Sequence, residues 1–134
     1  MLRHLLLFAA GALLASCDSG AEYQKAVARD FLDPASAQFR DTRVVNLFSD
    51  NGSRVRVYCG EVNAKNRLGA YTGFRRFFYV ISRTDSDYVQ QKWPSRAIYQ
   101  PGEVLFAEGM PQIHHQYCER EPGRRTDDEL WVNA

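Results

Sequence analysis

The sequence predicts an α+β domain: an N-terminal helix, an antiparallel sheet of three to five strands, and a C-terminal helix linked to the sheet by a disulfide. Three features predict it. Apolar residues recur at helical spacing early in the chain. Alternating and continuous apolar runs, separated by turn residues, fill the middle. Two cysteines, Cys59 and Cys118, stand in the middle and near the end. A length of 134 residues allows one domain. It excludes a TIM barrel, a full dinucleotide-binding fold and a multidomain enzyme.

The first segment is an address. Met1 to His4 is a short basic stretch, Leu5 to Ala15 is apolar, and the small residues Ala15 and Ser16 follow. This is secretory signal-peptide architecture over 1–16. The apolar run is too short for a membrane-spanning helix, which needs roughly 20 residues. Leu14-Ala15-Ser16-Cys17 resembles the lipobox of bacterial lipoproteins. That resemblance implies a diacylglycerol on the Cys17 thiol, cleavage just before Cys17, and acylation of the new amino terminus. It also implies a cell-envelope location facing the periplasm, and Asp18 leans it toward the inner membrane. Two or three acyl chains make such attachment effectively permanent, since each buried CH₂ contributes about 0.8 kcal/mol. Residues 17–21 are then a lipidated tether, 22–121 the domain, and 122–134 a polar tail whose only docking point is Trp131-Val132.

Charge sharpens the class. Residues 1–16 hold one of the 17 basic side chains, Arg3, and none of the 16 acidic ones, so the remainder carries 16 of each and no net charge. Such a body attracts neither nucleic acid nor an anionic membrane broadly. Export removes it from cytosolic nucleic acid as well.

The body reads element by element. Ser19 and Glu22 fit a capping box. Tyr23, Val27 and Phe31, with Ala28 and Leu32 beside them, predict an amphipathic helix that stops at Asp33-Pro34. Asp33 is placed to cap a second short helical turn, Pro34 to Phe39. Val44 to Phe48 is a strand, and Asn51-Gly52 a hairpin turn. Arg54 to Cys59 alternates, with Val55, Val57 and Cys59 toward the core and Arg54, Arg56 and Tyr58 on the other, non-core face. Residues 60–73 are polar and rich in glycine. Phe74 to Ile81 is a central strand. Tyr88-Val89 and Ala97 to Tyr99, around Trp93-Pro94, are weaker strand candidates, and Val104 to Phe106 a last short one. Pro111 opens a helix that ends before Glu121-Pro122-Gly123.

With Cys17 assigned to lipid, Cys59 and Cys118 form an even pair in an oxidising compartment, which reads as a disulfide. Two alternatives stand beside it. One is a pair of buried free thiols. The other is a metal site pairing Cys118 with His114, four residues earlier on one helix face, with Cys59 as a third ligand.

Asp33-Pro34-Ala35-Ser36-Ala37-Gln38-Phe39-Arg40 and the stretch Cys59 to Phe78, CGEVNAKNRLGAYTGFRRFF, resemble a recurrent pattern in small bacterial exported proteins. The resemblance covers roughly residues 22–81 and implies a domain without supplying an activity. Two readings of the 60–73 segment compete. Asn63 and Asn66 can cap a turn, with Gly60, Gly69 and Gly73 as bulges or positive-φ positions and Tyr71 packed over glycine. Alternatively the loop is a recognition surface built from Asn63, Lys65, Asn66, Tyr71, Arg75 and Arg76. From Arg54 to Arg83 there are seven basic side chains against one acid, Glu61. Such a patch fits an acidic envelope protein, a glycan carboxylate or lipid headgroups.

Catalytic signals are sparse. There is no G-x-S-x-G, no H-E-x-x-H and no phosphate loop. No catalytic residue, metal or cofactor is expected, and His114 and His115 read as partly exposed helix residues. The expected function is therefore a non-enzymatic binding or accessory module. A small hydrolase or metal-dependent enzyme using His114 with Glu61 or Cys118 is the alternative. A structural subunit of an envelope complex is another.

Overall fold

A computed structural model describes residues 20–48, 52–85, 87 and 99–119. Helix α1 spans Ala21–Ala28 and a 3-10 turn spans Pro34–Ser36. Strands β1 (Gln38–Phe48), β2 (Arg54–Asn63), β3 (Arg75–Thr84) and β4 (Val104–Phe106) follow, and helix α2 spans Pro111–Cys118. The strands form one antiparallel sheet in the order β1-β2-β3-β4. The predicted class is the one observed: four strands fall within the three to five expected, with one helix before the sheet and one after it. Cys59 and Cys118 form the disulfide, with Cα atoms 5.8 Å apart, so neither sulfur is a free thiol or a metal ligand.

The sheet is covered on both faces. Helix α2 packs Tyr117 and Cys118 against Leu47, Val55, Val57, Cys59, Phe78 and Val80. Helix α1 packs Val27 and Tyr23 on the opposite face, against Tyr58, Val62 and Phe77. The expected alternation along β2 holds, but the face expected to lie outside the core is buried at Tyr58. Tyr58 stacks near Tyr23 and Phe77, with ring centroids 5.3 and 5.9 Å away. Helix α1 turns what a two-layer pattern would leave wet into a second core.

Several boundaries differ from expectation. Helix α1 ends at Ala28 instead of reaching Leu32. Phe31 N–H bonds the Ala28 carbonyl in a turn, and the Phe31 ring leaves helical register to meet Phe106 at 6.3 Å. Leu32 is left 66% exposed. The turn after Pro34 closes at Ser36, because Ala37 is already extended (ψ 124). Phe39 thereby belongs to β1, edge-on to Phe77 at 5.9 Å. The Asp33 side chain makes no cap bond. Its carbonyl accepts from the Ser36 N–H and hydroxyl instead. Gly20 holds the N-cap position of α1, and the Ser19 capping proposal lies outside the described residues. Strand β2 runs through Asn63, so the first residues of the supposed loop pair with Gln38 and Phe39. Tyr99 lies outside any strand, and its ring meets Phe78 edge-on at 5.9 Å.

One distortion positions the site. Phe39 and Val44 share the α1 face, although strict alternation would put residues five apart on opposite faces. The β1–β2 register shifts between Arg40 and Arg43, and Asp41 has φ 52. This is a β-bulge, whose extra residue restores the parity. Gly60 lies beneath it. A Cβ on Gly60 would stand 2.8 Å from Thr42 Cγ2 and 3.2 Å from the Arg40 carbonyl oxygen.

The segment 1–16, Cys17, Asp18, the Tyr88-Val89 and Ala97-Ile98 strand candidates, and the 122–134 tail lie outside the described residues.

Candidate functional site

Two places gather polar side chains, one on each face of the sheet. The first is a cleft on the α2 face, beside the disulfide. It encloses about 190 Å³ and is lined by Asp41, Arg43, Cys59, Gly60, Glu61, Arg76, His114, Cys118 and Glu119. Pairing register builds it. Arg40, Glu61 and Arg76 stand opposite one another on β1, β2 and β3, and Arg43 stands opposite Cys59. The staple then brings the end of α2 over the same strands.

The charges form a ladder across the sheet. Arg40 Nε donates to Glu61 Oε2 at 2.6 Å while its guanidinium lies over the Phe74 ring. Arg76 Nη1 donates to Glu119 Oε1 at 2.9 Å. His115 Nδ1 lies 2.6 Å from Glu119 Oε2. The bond from Arg40 holds the Glu61 carboxyl below the usual carboxylate range. Contact with His115, reinforced by Arg76, does the same for Glu119. Arg43 donates to the Cys118 carbonyl, closing the end of α2.

His114 departs from expectation. It is only 4% exposed, because it sits one helical turn before Cys118 and the disulfide pulls that face onto Phe78, 6.4 Å away. Burial, aided by the Arg76 charge, pushes its imidazole pKa down, so the ring is neutral at neutral pH. Nδ1 lies 3.3 Å from Glu119 Oε1. It is nonetheless buried with no hydrogen-bond partner of acceptable geometry. His115 is the exposed member of the pair. Among the described residues, no group of three His, Cys, Asp or Glu side chains is arranged to hold a metal ion.

The second place is the 64–73 connection on the α1 face. The six residues singled out as a recognition surface divide here. Asn63 is buried, and its Oδ1 accepts from Gly73 N–H at 3.0 Å. Asn66 Oδ1 accepts from Leu68 and Ala70 N–H at 2.9 and 3.1 Å. The loop is pinned to the 3-10 turn, since Lys65 N–H donates to Ser36 Oγ and the Tyr71 hydroxyl donates to the Ser36 carbonyl. Lys65 Nζ rests over the Tyr71 ring at 5.6 Å. Tyr71 therefore packs on Lys65 and Ser36. Arg75 lies over Phe106 at 3.9 Å and pairs with Glu108. Arg76 faces the opposite way, into the first cleft, as neighbours on a strand must.

The asparagines thus act as turn braces while Lys65, Asn66 and Arg75 also line a groove. This groove holds about 230 Å³ and includes Asp30, Phe31, Leu32, Val62 and Phe106. Leu68, at the loop tip, is 91% exposed. The basic stretch is dispersed by partners from elsewhere: Arg75 meets Glu108, Arg76 meets Glu119, and Arg83 meets Asp85.

Asp41, Arg43 and Glu119 carried no sequence motif and were not anticipated as site residues. One signal for Asp41 exists, the odd spacing of Phe39 and Val44. Arg43 and Glu119 have none, because only the register and the cross-link bring them together. No protein-family model, curated protein or solved structure matches the chain.

Proposed function

We propose that the chain is a lipid-anchored cell-envelope protein whose folded body is a binding or accessory module. Its contact surface is the 64–73 loop with the groove beside it. The observation that carries this reading is Leu68. A large apolar side chain stands 91% exposed on a loop braced by Asn63, Asn66 and Tyr71. A braced loop pays its ordering entropy in advance, which favours recognition. Leu32, 66% exposed, supplies a second apolar side chain at the groove. Lys65 and Arg75 add cationic groups to the groove lining. The partner this surface fits is an acidic envelope protein presenting an apolar side chain beside carboxylates. Anchoring rests on Leu14-Ala15-Ser16-Cys17.

The enzymatic alternative has one observation in its favour: His114, Glu61 and Cys118 line a single cleft. The Cys118 sulfur is bonded to Cys59, which removes it as a nucleophile. The binding reading therefore stands first.

Capture from the envelope fraction with the intact lipoprotein tests this. Leu68→Asp together with Leu32→Asp is expected to lose a partner that the wild type retains, with the melting temperature unchanged. Retention of every partner by the double variant overturns the surface assignment. Intact mass from the membrane fraction tests the anchor: residues 17–134 plus acyl chains is the expected species, and an unlipidated chain starting elsewhere refutes it.

A further inference from the structure

Two backbone features shape the α2-face cleft. Asp41 adopts a left-handed backbone conformation that non-glycine residues rarely take (φ 52). Gly60 lets β1 approach β2 more closely than any side chain would allow. The result is a small concavity walled by charged groups in place of a flat sheet edge. Bulges recur where a strand re-aims side chains beside a site.

Three groups in this concavity lack an oppositely charged or hydrogen-bonded side-chain partner among the described residues, Asp41 and Arg43 exposed to solvent and His114 Nδ1 buried. Among the described residues, Arg43 has no carboxylate partner; its one bond goes to the Cys118 carbonyl. Asp41 has no cationic nitrogen within ion-pair distance among those residues. His114 Nδ1 is buried without a hydrogen bond beside Glu119. The remaining charges are internally matched, Glu61 by Arg40 and Glu119 by Arg76 and His115.

We propose that this cleft binds a small zwitterion, an α-amino acid with a short side chain. Its carboxylate meets the guanidinium groups of Arg43 and Arg76. Its ammonium meets the carboxylates of Asp41 and Glu61. Charge selects this class. A simple anion would face Asp41, Glu61 and Glu119, and a simple cation would face Arg43 and Arg76. A zwitterion carries each sign to its complement and adds no net charge. Size selects within the class, because 190 Å³ is below the roughly 300–1,000 Å³ of sites for drug-sized ligands.

The test uses the full chain with its disulfide intact and three small probes: alanine, acetate and ethylammonium. Amide chemical shifts around Asp41, Glu61 and Arg76 are followed by titration at constant ionic strength. Saturable binding of alanine is expected, with acetate and ethylammonium each weaker by about tenfold or more, the loss of one charge-assisted contact. Asp41→Asn keeps a residue that tolerates the left-handed backbone and is expected to weaken alanine by a similar factor. Arg43→Gln is expected to do the same. Leu68→Asp, on the opposite face, leaves alanine binding unchanged, so this site and the loop surface succeed or fail separately. Absence of saturable alanine shifts, acetate or ethylammonium binding as tightly as alanine, or full affinity in Asp41→Asn overturns the proposal.

Discussion

Gly60 lies so close to Thr42 that a Cβ added to it would come within 2.8 Å of Thr42 Cγ2. Behind that short β-branched side chain stand backbone atoms, the Arg40 carbonyl oxygen and Thr42 Cα, each at 3.2 Å. Gly60→Ala therefore forces the β1 bulge away from β2. A loss of about 1–3 kcal/mol is expected, the range for overpacking a well-packed site. Chemical denaturation measures it, and an unchanged midpoint would show that the bulge can yield freely.

The disulfide closes a loop of sequence separation 59. The chain-entropy model assigns such a cross-link about 4 kcal/mol. Cys59→Ala with Cys118→Ala is expected to lower the denaturation midpoint by a comparable free energy. Helix α2 is a short end element held otherwise by side-chain packing and surface bonds, so its amides should lose exchange protection before those of β2. Intact mass should rise by two hydrogens when the wild type is reduced.

His114 makes stability depend on pH in a defined window. Its pKa is lowered by burial first and by Arg76 next, so the unfolded chain takes up the proton more readily than the native one. The associated stability is fully present above the ordinary value of 6.5 and is lost as pH falls from there through the folded value. Glu61 and Glu119 are also lowered, from 4.5, so their contributions fade at more acidic pH. His114→Gln is expected to flatten the upper part of the stability profile and leave the lower part. Denaturant midpoints taken at intervals between those windows distinguish the two.

Asn66 holds the loop through two bonds to backbone N–H groups. Asn66→Ala removes both while leaving the core untouched. The global midpoint should move by about 1 kcal/mol or less, whereas proteolytic cleavage near Leu68 should accelerate. Limited proteolysis followed by mass spectrometry reads the site directly. Equal cleavage of variant and wild type would mean that Ser36 and Tyr71 brace the loop alone.

Much of the fold was legible because its signals are local. Alternation in Arg54 to Cys59 set the faces of β2, Pro111 marked the start of α2, and the even cysteine pair linked them. The helical reading of Pro34 to Phe39 failed at its end, where Phe39 pairs with Val62 in the sheet and packs edge-on to Phe77. The exposed reading of His114 failed because a helix of mixed polarity does not announce which face a cross-link will bury.

By itself the sequence determined the main order and kind of elements, and it proposed the disulfide and the turn chemistry of Asn63 and Asn66 among its alternatives. These depend on periods of two and 3.6 residues and on short-range bonding. Only the tertiary structure decided that both sheet faces are core, because helix α1 covers the second, and that Arg43, Asp41, His114 and Glu119 share a cleft. The cleft depends on one extra residue at Asp41 and one covalent link to α2. Each changes which distant side chains meet without altering the local pattern around them.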